Sequence, residues 1–229
     1  WMAFDLGTPS DTVRDILLWH KEVQQAVLEM VKNSVFAPCR SRAYLGVYLT
    51  GAYCWPIEQM VELTRKGYQA GFETGDLLFA SQGPLFFAVL SFTAGMNLDE
   101  YVSQLTEYKK VLTRLDQSTI ATYLSIYLQG AINFQKVLGE PDRLLGSHFD
   151  EEAYLPAAKA AHDMTGRHWV YSVKLMLSYH YDLDHKFLHY ISETEKFSVG
   201  GPGMISLATD QIYAALAWLT LYPDIRPVS

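Results

Sequence analysis

The sequence predicts an all-α fold, an array of antiparallel helix pairs, and three observations carry that prediction. Uncharged and charged segments alternate along the chain. Residues 43–57 ("AYLGVYLTGAYCWPI"), the 22 residues between Asp76 and Asp99, and residues 117–135 ("QSTIATYLSIYLQGAINFQ") carry no charge, while 58–76 and 99–116 between them are charged on one face. A helix that is apolar all round belongs inside and one with a polar face belongs outside. The uncharged centres lie roughly 40 residues apart, the spacing of stacked helix pairs that bury their inner members against one another. Strand signals are nearly absent, since no Asn-Gly or Asp-Gly stands between alternating runs. Helix start and stop signals are many.

Taken in order, Ser10 or Asp11 caps a first helix whose Val13, Leu17, Val23, Val27 and Val31 keep helical spacing. A pair follows at 41–55 with 57–74. Gly67, Gly71 and Gly75 recur every fourth residue there, which in a soluble pair lets two helices approach closely, with Gly75-Asp76 as the turn. The uncharged 77–95 pairs with 98–115. It is long enough for a membrane span, which needs about 20 apolar residues. Its neighbours are equally apolar, however, and rich in Ser, Thr, Gln, Asn and Tyr, so it reads as a buried helix, with Gly83-Pro84 expected to kink or break it. Asn97 followed by Glu100 forms a capping box for the outer helix.

Ser118 is expected to cap a helix to about Leu138, paired across "GEPDRLLGSHF" with 150–164, whose Asp150, Glu151 and Glu152 complement the helix dipole. Thr165-Gly166 is read as the end of that helix. A fourth pair joins 166–181 to 184–197, with Asp184 as the second cap. A closing helix at 203–222 follows "SVGGPG" and stops before Pro223. The units are thus 41–74, 77–115, 118–164 and 166–197 in one domain of 229 residues. The Trp-Met start reads as a fragment of a larger protein.

Hydrophobic residues make up 49% and charged residues 19%, a globular composition. A net charge of −7 without any basic run argues against nucleic acid and against an acidic membrane surface as partners. Two cysteines, Cys39 and Cys54, are too few for a disulfide framework or a zinc site and read as free thiols of a reducing compartment. No secretory leader pattern opens the sequence, so a cytoplasmic location is expected.

Chemistry-bearing clusters are few. His180, Asp182, Asp184, His185 and His189 crowd "SYHYDLDHKFLHY"; His185 and His189 stand one turn apart, as two metal ligands would, but no glutamate base lies between them. The simpler reading is a turn and a helix start with solvated histidines, and no metal is predicted. "HFDEE" at 148–152 offers carboxylates but is equally a charged helix start. "GGPG" lacks the Lys and hydroxyl of a phosphate loop, and no Gly-x-Ser-x-Gly elbow occurs. No catalytic residue and no cofactor are predicted. Tyr44 with Tyr48, and Tyr123 with Tyr127, each share a helix face. Inner helices line the concave surface of a solenoid, where tyrosines can anchor a partner; otherwise these rings fill the core.

Trp55-Pro56, "AGFETGD" at 70–76, "FDEEAYLP" at 149–156, "MTG" at 164–166, "GGPGM" at 200–204 and "LTLYP" at 219–223 stand in the order of a known family. From about residue 40 the chain resembles the helical region of very large multidomain signalling proteins of fungi and bacteria. These carry a Ser/Thr protein-kinase-like domain, an AAA-type predicted ATPase, this helical segment, a GAF domain and a histidine kinase, and fungal members often add a receiver domain. The resemblance implies a tetratricopeptide-like superhelical array, with repeats longer and less regular than the usual pattern. It implies a non-catalytic scaffold that couples the ATPase to the GAF–histidine kinase module or recruits a protein partner, with homo-oligomerisation through the parent kinase. The alternative is a sensor domain taking a small molecule or peptide on its concave face.

Overall fold

The computed structural model describes residues 11–51, 53–136, 139–201 and 204–222. Among these the chain is helical throughout, without a strand; one isolated bridge joins Leu145 to Asp150. The helices are α1 (Asp11–Met30), α2 (Arg40–Gly51), α3 (Ile57–Thr74), α4 (Leu77–Thr93), α5 (Leu98–Arg114), α6 (Ser118–Gln135), α7 (Glu151–Ala160), α8 (Met164–His180), α9 (Asp184–Phe197) and α10 (Ile205–Leu221). No described helix is long and apolar enough to cross a membrane.

Local chemistry sets most of the boundaries. The Asn97 side chain accepts from the Asp99 and Glu100 amides and starts α5, and Asp150 does the same for α7 through Glu152 and Ala153. Three expected boundaries differ. Ser118 and Asp184 are the first residues of α6 and α9 and make no cap, because Gln117 and Leu183 hold the cap positions without a side-chain bond. Thr165-Gly166 begins a helix instead of ending one: His162 takes a positive φ of 54°, and Asp163 then caps α8 by accepting from the Gly166 amide. Pro84 neither ends nor splits α4, which runs on through it. Ser10 and Pro223 lie outside the described residues.

α2, α4, α6 and α8 form a continuous row in which each touches the next. α3 is sandwiched onto α2 and α4. Gly71 makes that possible, since a Cβ there would come within 2.5 Å of the Ala80 Cβ. Gly75, at φ 76°, turns the chain into α4 in a conformation that side chains resist. α5 packs on α6 and α4, and α9 on α8. α4 is apolar almost all round, as its burial demands: every residue from Gly83 to Ser91 is buried.

The segment expected to pair with α6 goes elsewhere. α7 packs on α8, because the connection from α6 is drawn back over the row. Asn133 of α6 donates to the carbonyls of Pro141 and Arg143, and Leu144 is fully buried. A cleft of about 510 Å³ is left between the α5–α6 turn and α7. α1 follows its predicted stripe only at the end. Val31 is buried and Val27 half-buried, but Val13, Leu17 and Val23 are exposed; α1 packs against α2 and the α2–α3 turn, where Trp55 donates to Gln24.

α10 leaves the two-layer order. It packs on α8 and α9 and also reaches α4, while the Tyr53 hydroxyl, in the α2–α3 turn, donates to the Met204 carbonyl just before its start.

Candidate functional site

α8 organises the polar interior, and its two sides differ. Toward α7 and α9 stands Lys174, a lone cation in the otherwise apolar run "WVYSVKLMLSY". Its ammonium donates to both Glu151 carboxylate oxygens at 2.8 Å and to the Asp142 carbonyl at 2.7 Å. The Asp142 carboxylate accepts from Lys186 at 2.9 Å and from the Tyr190 hydroxyl. Burial alone would raise that carboxyl; the hydrogen bonds from Tyr190 and Lys186 outweigh it and hold it below the ordinary carboxylate range. Every charge in this group has an opposite charge in contact, and together they bind the 139–150 connection to α8 and α9.

Toward α10 lies a groove walled by Val89, Phe92 and Thr93 of α4, Tyr127 of α6 and Ser172 and Met176 of α8. α10 covers it with Ser206, Thr209 and Asp210, leaving a hole of about 10 Å³. Asp210 accepts from the Ser172 hydroxyl at 2.8 Å and stands 3.4 Å from His168 Nε2, which Ser206 approaches at 3.5 Å. Its Oδ1 has no partner among the described residues. Burial raises the Asp210 carboxyl to about 7, against the hydrogen bond from Ser172, and lowers His168 to about 4. Ser206 and Asp210 both approach the same ring nitrogen, and His168 is fully buried. The three therefore do not form a relay from acid to base to an accessible nucleophile.

The four tyrosines singled out in the sequence fall into two places, with α4 between them. Tyr44 and Tyr48 of α2 flank Gly67 of α3. Tyr48 is 1% exposed, its ring 5.5 Å from Phe86, and its hydroxyl has no partner among the described residues. Tyr123 and Tyr127 of α6 both meet Trp169 edge-on, at 5.1 and 6.1 Å. Tyr127 is buried. Tyr123 is half-buried and donates to Asp163 at 3.0 Å, where Tyr154 of α7 donates to the other oxygen at 2.7 Å. Tyr48 and Tyr127 thus serve as core, and Tyr123 serves the start of α8. Burial raises Tyr48, and burial with the Asp163 carboxylate raises Tyr123.

The histidine-rich stretch does not converge. His180 Nε2 is 3.0 Å from the Tyr213 hydroxyl of α10, with its ring edge-on to Phe134, while His189 lies against Tyr171 and Tyr190. Among the described residues no group of three or more His, Cys, Asp or Glu is arranged to hold a metal ion. Cys39 and Cys54 are free. The carboxylates of "HFDEE" are all occupied: Asp150 caps α7, Glu151 pairs with Lys174 and Glu152 with Arg143.

The cleft beside α7 has Ala121, Phe149 and Ala153 as apolar walls and Lys109, His148 and Asp116 among its polar ones. The hydroxyls of Thr113, Thr122 and Ser125 donate to carbonyls of their own helices, so only their lone pairs are free. Burial lowers both Lys109 and His148. Sequence reasoning passed over Lys174, His168 and Asp210. For Asp210 the available signal was a single charge inside an otherwise uncharged helix, "MISLATDQIYAALAWLTLY". Compared with family models, with curated proteins and with solved structures, the chain matches none.

Proposed function

We propose that the chain is a non-catalytic, tetratricopeptide-like scaffold within a multidomain histidine kinase signalling protein. It couples an ATPase module to a GAF–histidine kinase module or recruits a protein partner. The observation that supports this reading is where the family-like stretches fall. Trp55-Pro56 lies in the α2–α3 turn, residues 70–76 cover the last turn of α3 and its link to α4, 149–156 the start of α7 and 164–166 the start of α8. These are the joints that set how one helix stacks on the next. A stack whose members share one buried core transmits a displacement from one end to the other as a body.

The test is deletion of residues 40–222 from the parent protein. Loss of ATPase control over the kinase is the expected result; fully active and normally regulated flanking modules would overturn the reading. A sensor role is the second reading, favoured by the cleft beside α7, which lies in the size range of small-molecule sites, about 300–1,000 Å³. A ligand there would bridge α6 to α7 and raise the melting temperature of the chain.

A further inference from the structure

α10 is seated with its acid inward and several of its large apolar side chains outward. Its fully buried residues are Ser206, Asp210 and Ala217, while Ile212, Trp218 and Leu219 are exposed. Asp210 is the one charge in the described helix, and it is buried. A helix that belongs permanently to a core buries its large apolar side chains and leaves its acid in water. Here the acid is taken into the groove, one of its oxygens goes unanswered, and a water-sized hole remains beside it. The rest of the seat combines apolar packing by Ile205, Tyr213, Ala214, Ala217 and Leu221 with separate polar contacts: Ser172 to Asp210, His180 to Tyr213, and Tyr53 to the Met204 carbonyl. The groove walls do not share these defects. Val89, Tyr127, Ser172 and Met176 belong to helices that also pack on one another, α4 on α6 and α6 on α8.

We infer that the groove between α4, α6 and α8 is a helix-binding site and that α10 is its ligand in cis, held loosely enough to leave. The pattern the site accepts is read from α10 itself. It is a nearly uncharged helix with a hydroxyl, an acid, a tyrosine and a small residue at the spacing of Ser206, Asp210, Tyr213 and Ala217. The trans occupant that fits is α10 of a second copy, exchanged as in domain swapping. This goes beyond the scaffold reading, since it concerns the packing of α10 whatever protein carries the chain.

The test uses the full chain. In native-state hydrogen exchange, the α10 amides should exchange as a unit, at least about tenfold faster than those of α8. Ala217→Glu places a carboxylate at a fully buried position of α10 and changes no groove residue. The variant should keep the rest of the fold. It should bind a fluorescent peptide of residues 204–222 at least about tenfold more tightly than the wild type does, because release of the cis helix raises the fraction of open sites. Exchange of α10 at the rate of α8 overturns the inference. So does collapse of the whole fold in the variant, or a released α10 with no gain in peptide binding.

Discussion

The two sides of α8 bury ionisable groups on opposite terms. On the side of α7 and α9, Lys174, Glu151, Asp142 and Lys186 form a chain in which each charge meets its opposite and Tyr190 adds a donor. On the side of α10, one acid meets a histidine that burial keeps neutral, and its second oxygen is left alone. A fully paired set is costly to break and fixes its partners in place. A single protonated acid is cheap to replace. The difference separates what is built into the fold from what rests against it.

The largest effect that would test this contrast is Lys174→Met. It leaves Glu151 buried without its cation, and loss of one partner of a buried pair costs about 3–5 kcal/mol, to be read by denaturant unfolding. Asp142→Asn should cost less, about 1.5–3 kcal/mol, since Tyr190 and Lys186 keep an oxygen to bond but lose the charge. Asp210→Leu should change stability by about 1 kcal/mol or less, or raise it, because an unanswered carboxyl gives way to an apolar side chain. A loss for Asp210→Leu as large as that for Lys174→Met would erase the distinction between the two sides.

A further test is a pH dependence that should emerge when His168 is removed. Asp210 keeps its proton in the folded chain up to about pH 7, whereas unfolded it ionises near 3.8. Its contribution to stability is therefore lost as pH rises through that window. His168 does the reverse: neutral when folded down to about pH 4, it takes a proton near 6.5 once unfolded, so its contribution is lost as pH falls. Between about pH 4 and 6.5 the two cancel, and the wild type should be flat there as far as this pair decides it. His168→Asn removes one half and should show stability falling as pH rises from about 4 to 7. A variant as flat as the wild type would mean that Asp210 is already ionised in the groove.

What could be read from the sequence is what depends on neighbours along the chain. Asn97 and Asp150 start their helices where their oxygens meet the second and third amides, and the uncharged runs at α4 and α6 mark the row. Gly71 and Gly75 carry the close approach and the turn expected of them. What depends on distant segments was not legible. α7 turns to α8 because Asn133 and Lys174 hold the connection, an arrangement no local pattern announces. Tyr123 and Tyr127 share a face as expected, but only the packing of Trp169 and Asp163 decides that they face inward. The inward seat of Asp210 on α10 was the least legible, since the helix's composition is that of any buried helix.

The hydrogen bond from Tyr53 to Met204 joins residues 151 positions apart. Most of the remaining packing links helices that follow closely in sequence, the kind of topology that assembles in microseconds to milliseconds. Closing so long a loop must wait until both ends of the row are formed. Docking of α10 should then be the last step of folding and the first of unfolding. Changes at its seat should speed unfolding and leave the folding rate alone, while changes in the α3–α4 contact around Gly71 should slow folding itself.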